Sequence, residues 1–391
     1  MKVKLEEKGR FRLPERFTAR YDLSDGSDLH LIPLADGFIA YRPKLDIKKV
    51  YIEPTTRCNL NCIMCLRNAW QEKTADMEMS TFNAILRQLR DLSSVQAVIL
   101  GGFGEPFYHP HILDMIESIK TLGLEVTIST NGTLLGDLAE AIVGMKVDKL
   151  VVSVDGVRPD IFNDIRKGAS LEGVVENLMR LKEAKRRNRS VLPVIGLEFV
   201  AMRRNVREIR LLSELARSTG ASQVLITNLL PHTREMCEEI LYDDGGEELP
   251  SGVGWSLSGG GWLEWGAIRK PKMRWGAGRI CRFVEGKSVV IGYDGGVSPC
   301  YALMHSYQYY VFGRRKLVKR YTLGNVLEED LNSIWLSEEY VRFRIKVGMF
   351  DFPSCVDCGL ACDLAERNED CWGNDPSCAD CLWAHDIIKC P

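Results

Sequence analysis

The 391-residue sequence lacks the features that would commit it to a membrane or to nucleic acid. No apolar run approaches the ~20 residues that span a bilayer, and the first residues, MKVKLEEKGRFR, contain no apolar signal segment. The net charge is only −2, so no global basic field attracts nucleic acid. We therefore expect a cytoplasmic globular protein of two or three domains without a nucleic-acid partner.

Cysteine is scarce in the middle of the chain and dense on either side of it. Of the thirteen cysteines, three lie within residues 58–65, nine lie within residues 281–390, and Cys237 stands alone. Cytosolic thiols stay reduced, so this density points to metal rather than to disulfides. The sequence predicts two metal-binding regions on either side of a cysteine-poor segment.

Residues 1–45 are predicted to form a small β-rich unit. A short polar helix precedes GSDLHLIPLADGFIAYRP, where alternation and the Asp36-Gly37 turn predict a hairpin. This order resembles one half of an AbrB-like swapped-hairpin barrel, which is usually built from two chains. The resemblance implies docking or dimerisation through this unit; its basic residues alternate with acidic ones, which is typical of a solvated face rather than of a DNA-binding surface.

Between residues 46 and 242 short apolar runs alternate with helical stretches. The six runs are VYIE (50–53), QAVIL (96–100), EVTIS (125–129), KLVVSV (149–154), PVIGLEFVA (193–201) and SQVLITNLL (222–230). This alternation predicts an α/β fold, specifically a partial (β/α)6 TIM-type barrel. Functional side chains are then expected at the carboxyl ends of the strands.

The remaining chain divides into two parts of different composition. Residues 243–280 are rich in Gly and Trp and predict a crossover, or alternatively a lid over the site. Residues 281–391 are rich in cysteine and in turn residues, with few long periodic runs. We expect bound metal to hold much of this C-terminal domain together.

The segment EPTTRCNLNCIMC directly follows the first predicted barrel strand. Thiolates of Cys58, Cys62 and Cys65 in this C-x3-C-x2-C spacing can hold a [4Fe–4S] cluster and leave its fourth iron without a protein ligand. The amino and carboxylate groups of S-adenosylmethionine (SAM) can chelate that iron. One electron from the cluster then cleaves SAM to methionine and a 5′-deoxyadenosyl radical.

Further motifs follow the next strands: GGFGEP, STNGTLL, SVDG and DIRKG. With the cysteines, their order resembles the radical SAM superfamily. The resemblance implies that Glu105 and the glycines hold the amino group of SAM and that Arg166 pairs with its carboxylate. The full set of SAM contacts that it implies is Gly102, Gly104, Glu105, Thr130, Asn131, Ser153, Asp155 and Arg166.

The C-terminal cysteines resemble the SPASM extension of radical SAM maturases, which carries two auxiliary [4Fe–4S] clusters. The candidate ligands are Cys281, Cys300, Cys355, Cys358, Cys362, Cys371, Cys378, Cys381 and Cys390. Nine cysteines for eight places leave the assignment to individual clusters open. Residues 355, 358, 378 and 381 also fit a four-cysteine zinc site, so zinc remains an alternative.

Segments such as RWGAGRICRFVEG and DCGLACDLAERNEDCWGN resemble a narrower family, the cofactor-modifying proteins of tungsten-containing aldehyde ferredoxin oxidoreductases. The resemblance implies a maturase that acts on the tungsten–pterin cofactor or on the oxidoreductase polypeptide, with an electron donor such as ferredoxin. Tyr301 stands where related oxidising enzymes carry a basic aspartate, so no catalytic base is assigned. A SPASM maturase that crosslinks a ribosomal peptide, and a non-catalytic iron–sulfur electron carrier or redox regulator, remain alternatives.

Overall fold

The structure is a computed structural model that describes the chain except residues 1–3, 5–7, 9, 10, 25, 28, 35, 36, 43, 71, 243–267, 270–278, 312, 356, 357, 359–365 and 391. It divides into two compact units, Met1–Leu45 and Asp46–Pro391. The crossover or lid predicted for residues 243–280 lies almost wholly outside the described residues, and so does the candidate ligand Cys362.

The first unit contains a helix and a hairpin. Helix α1 is Glu15–Arg20, and strand β1 (His30–Leu34) pairs antiparallel with β2 (Gly37–Tyr41). This confirms the predicted hairpin, while the likeness to a swapped-hairpin barrel stays a prediction. None of the described side chains of this unit is buried, so its described part forms no hydrophobic core of its own.

The second unit is built on six parallel strands joined by helices. In chain order the elements are β3 Lys49–Ile52, α2 Met79–Arg90, β4 Ala97–Leu100, α3 Ile112–Thr121, β5 Glu125–Thr130, α4 Leu135–Gly144, β6 Lys149–Ser153, α5 Pro159–Ile165, α6 Leu171–Arg187, β7 Val194–Ala201, α7 Leu212–Thr219 and β8 Gln223–Asn228. Neighbouring strands from β3 to β8 pair in parallel and in chain order. All six predicted strands are present, which confirms the α/β partial barrel.

The rest of the chain extends this sheet at both ends. Its elements are β9 Ile268–Arg269, α8 Arg282–Glu285, β10 Ser288–Ile291, β11 Gly296–Ser298, β12 Tyr307–Val311, β13 Arg314–Val318, β14 Gly324–Asn325, α9 Leu331–Leu336 and α10 Glu338–Met349. Strand β10 pairs in parallel with β3, and the sheet order is β14-β11-β10-β3-β4-β5-β6-β7-β8-β9. The C-terminal domain therefore contributes strands to the barrel sheet itself, a connection that no local sequence pattern predicts.

Side chains alternate between the two faces of the sheet. Val50 and Ile52 pack with Phe82 of α2 on the helix-covered face. Tyr51 lies on the opposite face with Trp383. A cavity between the amino ends of the strands and the last residues of the chain is lined by residues that include Lys49, Glu125, Trp383 and Lys389. The chain end thus lies beside the amino ends of several strands, and it also contacts the carboxyl end of β8, where the Lys389 amide donates to Thr227 Oγ1 at 2.8 Å.

Within the described residues, no helix is both long enough and apolar enough to cross a membrane.

Candidate active site

The loop that leaves the carboxyl end of β3, residues 53–65, is called the cysteine loop here because it carries Cys58, Cys62 and Cys65. It is fastened to the connection between α5 and α6 by two backbone hydrogen bonds. The amides of Asn61 and Ile63 donate to the carbonyls of Lys167 and Ile165, both at 3.0 Å. The three cysteines therefore lie on a segment whose backbone is fixed at both sides of Cys62.

The thiols of this loop lie in partly to fully buried surroundings. The Leu60 amide and the Asn131 side-chain amide donate to Cys58 Sγ at 3.4 and 3.6 Å. Burial raises the pKa of Cys62 to about 11, although the Arg166 guanidinium opposes this shift. A buried thiol of this kind ionises only beside a strong positive charge, and bound iron supplies one. The donor set fits an iron–sulfur cluster.

Glu105 lies behind the cysteine loop and is 1% exposed. Its carboxylate accepts hydrogen bonds from the Thr130 hydroxyl at 2.7 Å, the Asn131 amide at 2.6 Å and the Phe107 amide at 3.1 Å. Burial raises its pKa to about 7. The side chain joins the loop after β4 to the end of β5, and its pairing with the SAM ammonium stays a prediction.

The glycines of GGFGEP are required by the protein's own backbone. A Cβ on Gly104 would lie 2.0 Å from the carbonyl oxygen of Thr55, and a Cβ on Gly102, where φ is +131°, would lie 2.6 Å from Glu53 Oε1. The loop after β4 therefore packs directly on the start of the cysteine loop. Contacts of these glycines with SAM remain a prediction.

Asn131, at the end of β5, reaches the cysteine loop. Its side-chain amide donates to Asn59 Oδ1 at 2.8 Å, in addition to its contact with Cys58. Asn131 therefore lies next to the first cysteine of the triad, while Thr130 contacts Glu105. The predicted contact of these two residues with the ribose of SAM is not tested by this arrangement.

Asp155 and Arg166 form a buried ion pair at the end of β6. Arg166 Nη2 lies 2.7 Å from Asp155 Oδ2, and Asp155 Oδ1 accepts from the Val200 amide at 2.7 Å. The Nε atom of Arg166 is buried and has no hydrogen-bond partner among the described residues. An unsatisfied buried donor is costly, so this atom is suited to an anionic ligand such as a carboxylate.

Two carboxylates that the sequence analysis missed also lie at this edge. Glu198, on β7, accepts from the Ser153 hydroxyl at 3.5 Å, and burial raises its pKa to about 7. Glu53 directly follows β3 and is fully buried. Strand alternation places Glu53 on the same face as Tyr51, so the period-2 pattern of β3 was the available signal.

The structure groups four of the C-terminal cysteines: Cys281, Cys300, Cys378 and Cys381. Burial raises the pKa of each of these thiols, and neighbouring thiols of the set add to the rise at Cys281, Cys300 and Cys378. In three of them the sulfur accepts hydrogen bonds from the backbone amides two and three residues later, as Cys281 does from Phe283 and Val284. Amide donors of this kind stabilise cluster thiolates.

The other C-terminal cysteines have different surroundings. Burial raises the pKa of Cys355 to about 11, Cys358 is exposed, and the Trp383 indole donates to Cys390 Sγ at 3.3 Å. No disulfide joins the cysteines of the described part.

Of the four positions of the zinc alternative, Cys355, Cys378 and Cys381 lie in one small hydrophobic cluster together with Cys281, while Cys358 is exposed. Among the described residues, no three His, Cys, Asp or Glu side chains converge tightly enough to hold a single metal ion. Ligands of a four-iron cluster bind different irons and need not converge on one point.

Comparison with family models agrees with these two regions. Residues 52–207 match the radical SAM superfamily, and residues 281–359 match the SPASM iron–sulfur cluster-binding domain. The chain is 37% identical over 351 residues to the tungsten-containing aldehyde ferredoxin oxidoreductase cofactor-modifying protein of Pyrococcus furiosus, an alignment that covers 88% of this chain and 97% of that protein.

Solved structures share the fold at low sequence identity. Streptococcus suis SuiB is 16% identical with a TM-score of 0.56, and the match covers 77% of this chain and 68% of SuiB. Native anSMEcpe with bound AdoMet and Cp18Cys peptide is 17% identical with a TM-score of 0.52, covering 76% and 82% of the two chains.

Proposed function

The chain belongs to the radical SAM family of the tungsten-containing aldehyde ferredoxin oxidoreductase cofactor-modifying protein, and we propose that it modifies the tungsten–pterin cofactor or the polypeptide of such an oxidoreductase. It is a radical SAM enzyme with a SPASM domain. The observation that supports the substrate is the near full-length likeness to the Pyrococcus protein, which extends through the C-terminal domain.

We propose that Cys58, Cys62 and Cys65 hold the cluster at which SAM binds. Their place at the carboxyl end of the first barrel strand, and the Asn131 amide aimed at Cys58, support this assignment. When reduced and bound to SAM, such a cluster supplies the electron that releases a 5′-deoxyadenosyl radical.

The surrounding residues shape this site. Arg166, which is held by Asp155 and keeps a free Nε donor, is suited to the carboxylate of SAM. Glu105 holds the loop after β4 against the end of β5 through its hydrogen bonds with Thr130 and Asn131, and it also accepts a bond from Phe107 within its own loop. Thr130, Asn131 and Ser153 then present polar groups from adjacent strand ends.

We also propose that Cys281, Cys300, Cys378 and Cys381 ligate one auxiliary [4Fe–4S] cluster. The supporting observations are the packing of Cys281 and Cys381 against the clusters that contain Cys300 and Cys378, their burial, and the amide donors at three of the sulfurs. A second auxiliary cluster would draw its ligands from the remaining cysteines at positions 355, 358, 362, 371 and 390. Four protein ligands leave no open iron, so the first of these clusters is suited to electron transfer rather than to SAM binding.

The radical SAM activity is tested by anaerobic reconstitution with iron and sulfide, followed by SAM and dithionite. We expect 5′-deoxyadenosine from the wild type and from Cys237→Ala, and none from the triple variant Cys58→Ala/Cys62→Ala/Cys65→Ala. Absence of 5′-deoxyadenosine from a wild-type protein with an intact cluster would overturn the enzyme assignment.

The substrate is tested with a tungsten-containing aldehyde ferredoxin oxidoreductase produced in a host that lacks this protein. After incubation with the reconstituted enzyme, SAM and reductant, we expect a mass change in the extracted cofactor or in a tryptic peptide. Cleavage of SAM without either change would contradict the proposed substrate, and a crosslink in a supplied cysteine-rich peptide would favour the alternative maturase.

The partners beyond the substrate are proposals of the same kind. A ferredoxin would replace dithionite as electron donor, which a ferredoxin-dependent assay checks directly.

The N-terminal unit, in which no described side chain is buried, would pair with a second copy; removal of residues 1–45 should then convert a dimer to a monomer in light scattering.

A further inference from the structure

His305 lies between two carboxylates in the interior of the second unit. Its Nε2 atom is 2.7 Å from Glu53 Oε2, and its Nδ1 atom is 2.7 Å from Glu72 Oε2. The imidazole is 1% exposed, Glu53 is fully buried and Glu72 is 25% exposed. Because both acceptors are carboxylates, an imidazolium that donates from both ring nitrogens satisfies the arrangement.

The three residues come from three separate parts of the chain. Glu53 begins the cysteine loop, Glu72 follows the short helical turn Leu66–Ala69 after that loop, and His305 belongs to the C-terminal domain. The Ser306 amide adds a second bond from the C-terminal domain, to Glu72 Oε1 at 2.7 Å. The first residue of the cysteine loop and the segment that follows its far end are therefore both tied to one short C-terminal segment.

Aromatic contacts hold the imidazole in place from two sides. Trp70 stacks on it with a centroid distance of 4.2 Å, and Phe103 meets it edge-on at 5.8 Å. Phe103 lies between Gly102 and Gly104 in the loop after β4. The aromatic contacts thus place His305 against the same loop that packs on the cysteine loop.

The carboxylate of Glu53 connects His305 to this loop by a hydrogen bond. Its Oε1 atom accepts from the Phe103 amide at 3.1 Å, while Gly102 lies directly against it at a positive φ. Rotation of Glu53 would therefore break its hydrogen bond to the Phe103 amide beside Gly102. The position of Glu53 is in turn fixed by its charged hydrogen bond to His305.

We propose that His305 is a positioning residue through which the C-terminal iron–sulfur domain sets the SAM-binding geometry of the cysteine loop and of the Gly102–Glu105 loop. The inference rests on the proposed SAM site. It predicts that SAM affinity depends on a residue from outside the barrel motifs. Without His305, Glu53 would be buried beside an apolar group with no counter-charge and would reorient.

The test compares His305→Phe with His109→Phe in the anaerobically reconstituted full-length protein. Phenylalanine keeps the ring contacts at 305 but removes both hydrogen bonds. His109 is a buried imidazole that bonds to the Met77 carbonyl and to the His111 amide, without contact to Glu53. It therefore controls for the general cost of removing a buried histidine.

For His305→Phe we expect SAM to bind at least about tenfold more weakly, the range typical of lost outer-shell support. The change that SAM produces in the electron paramagnetic resonance spectrum of the reduced cluster should also be diminished. Iron content should stay at the wild-type level, and His109→Phe should bind SAM as the wild type does.

A second variant separates positioning from general damage. Glu53→Gln/His305→Phe removes the unpaired buried charge, so it should recover part of the SAM affinity lost in His305→Phe. Wild-type affinity in His305→Phe, or equal losses in His305→Phe and His109→Phe, would overturn the inference. Failure of the wild type itself to bind SAM would instead count against the proposed function.

Discussion

Arg166 and Asp155 form an ion pair in which Nη2 and Oδ2 are 2.7 Å apart and the side chains are 8% and 0% exposed. The next residue, Lys167, accepts the hydrogen bond from Asn61 that anchors the cysteine loop. The pair therefore supports the backbone on which the loop rests, in addition to any contact of Arg166 with a ligand.

Replacing Asp155 with Ala should leave the Arg166 guanidinium buried without a partner. Breaking a buried pair on one side costs about 3–5 kcal/mol, and the Val200 amide loses its acceptor as well. Asp137→Ala is the control, because Asp137 is 91% exposed and lies 3.7 Å from Arg180. Anaerobic denaturant titration should show a large loss for the first variant and little change for the second; equal stabilities would refute this role.

Glu105→Gln should destabilise the site although the side chain keeps its size. All three neighbours of Glu105 donate hydrogen bonds, so a side-chain amide must face at least one donor. A buried donor left unpaired costs about 1–3 kcal/mol. We expect a lower unfolding free energy together with reduced cluster content after reconstitution. Retention of both would show that the carboxylate does not join the two loops.

Gly104→Ala tests how closely the loop after β4 packs on the cysteine loop. The new Cβ would lie 2.0 Å from the Thr55 carbonyl oxygen, and overpacking of this kind costs about 1–3 kcal/mol or more. At Gly144, in α4, a Cβ meets nothing within 4 Å, and Gly144→Ala should stabilise by about 0.4–1 kcal/mol. A lower melting temperature for Gly104→Ala and a higher one for Gly144→Ala would support the close packing of the two loops. An unchanged melting temperature in both variants would contradict it.

The sequence predicted the elements whose signals are local. Each barrel strand is a short apolar run flanked by helical residues, so β3 to β8 could be located from periodicity. The cysteine triad could be recognised from its spacing and from its position after β3. Pairings between distant segments carry no such signal. Glu53 and His305 are 252 positions apart, and β10 joins β3 from the far end of the chain; only tertiary packing brings these residues together.

The same limit applies to the C-terminal cysteines. Spacing alone suggested Cys355, Cys358, Cys378 and Cys381 as one set, whereas the structure groups the last two with Cys281 and Cys300. Spacing describes how a chain can wrap one site, but it does not reveal which wrapped segments meet. The match of residues 281–359 to a cluster-binding domain leaves Cys378 and Cys381 outside it, so the structure contributes this grouping.

The proposed ligation of one cluster by both Cys281 and Cys378 predicts iron losses that do not add. Cys281→Ser and Cys378→Ser should each remove iron from the same cluster, about four per chain for a [4Fe–4S] centre, and the double variant should lose no more iron than either single variant. Cys237→Ser should lose none. Additive iron losses would assign the two residues to different clusters, while loss of one zinc from Cys378→Ser without loss of iron would favour the zinc alternative.

The charge of His305 predicts a dependence of stability on pH. Burial lowers its pKa, but the hydrogen bonds to Glu53 and Glu72 outweigh burial and hold the pKa above the usual value. A histidine with a raised pKa in the folded protein stabilises fully below its unfolded pKa of about 6.5 and loses that contribution as the pH rises through the folded pKa. Other groups around the two carboxylates also titrate or carry charge: Tyr293, Tyr301 and Arg320.

We therefore expect the difference in unfolding free energy between wild type and His305→Phe to be largest near pH 6 and to shrink towards pH 9. The tyrosines and Arg320 are present in both proteins, and burial keeps the pKa of Tyr293 and Tyr301 above the usual value, so their contributions largely cancel in the difference. Anaerobic denaturant titration of both proteins at intervals of half a pH unit measures this difference in unfolding free energy. A difference that stays constant would mean that His305 does not change charge in this range, and one that grows with pH would show that the neutral imidazole is the form that the fold prefers.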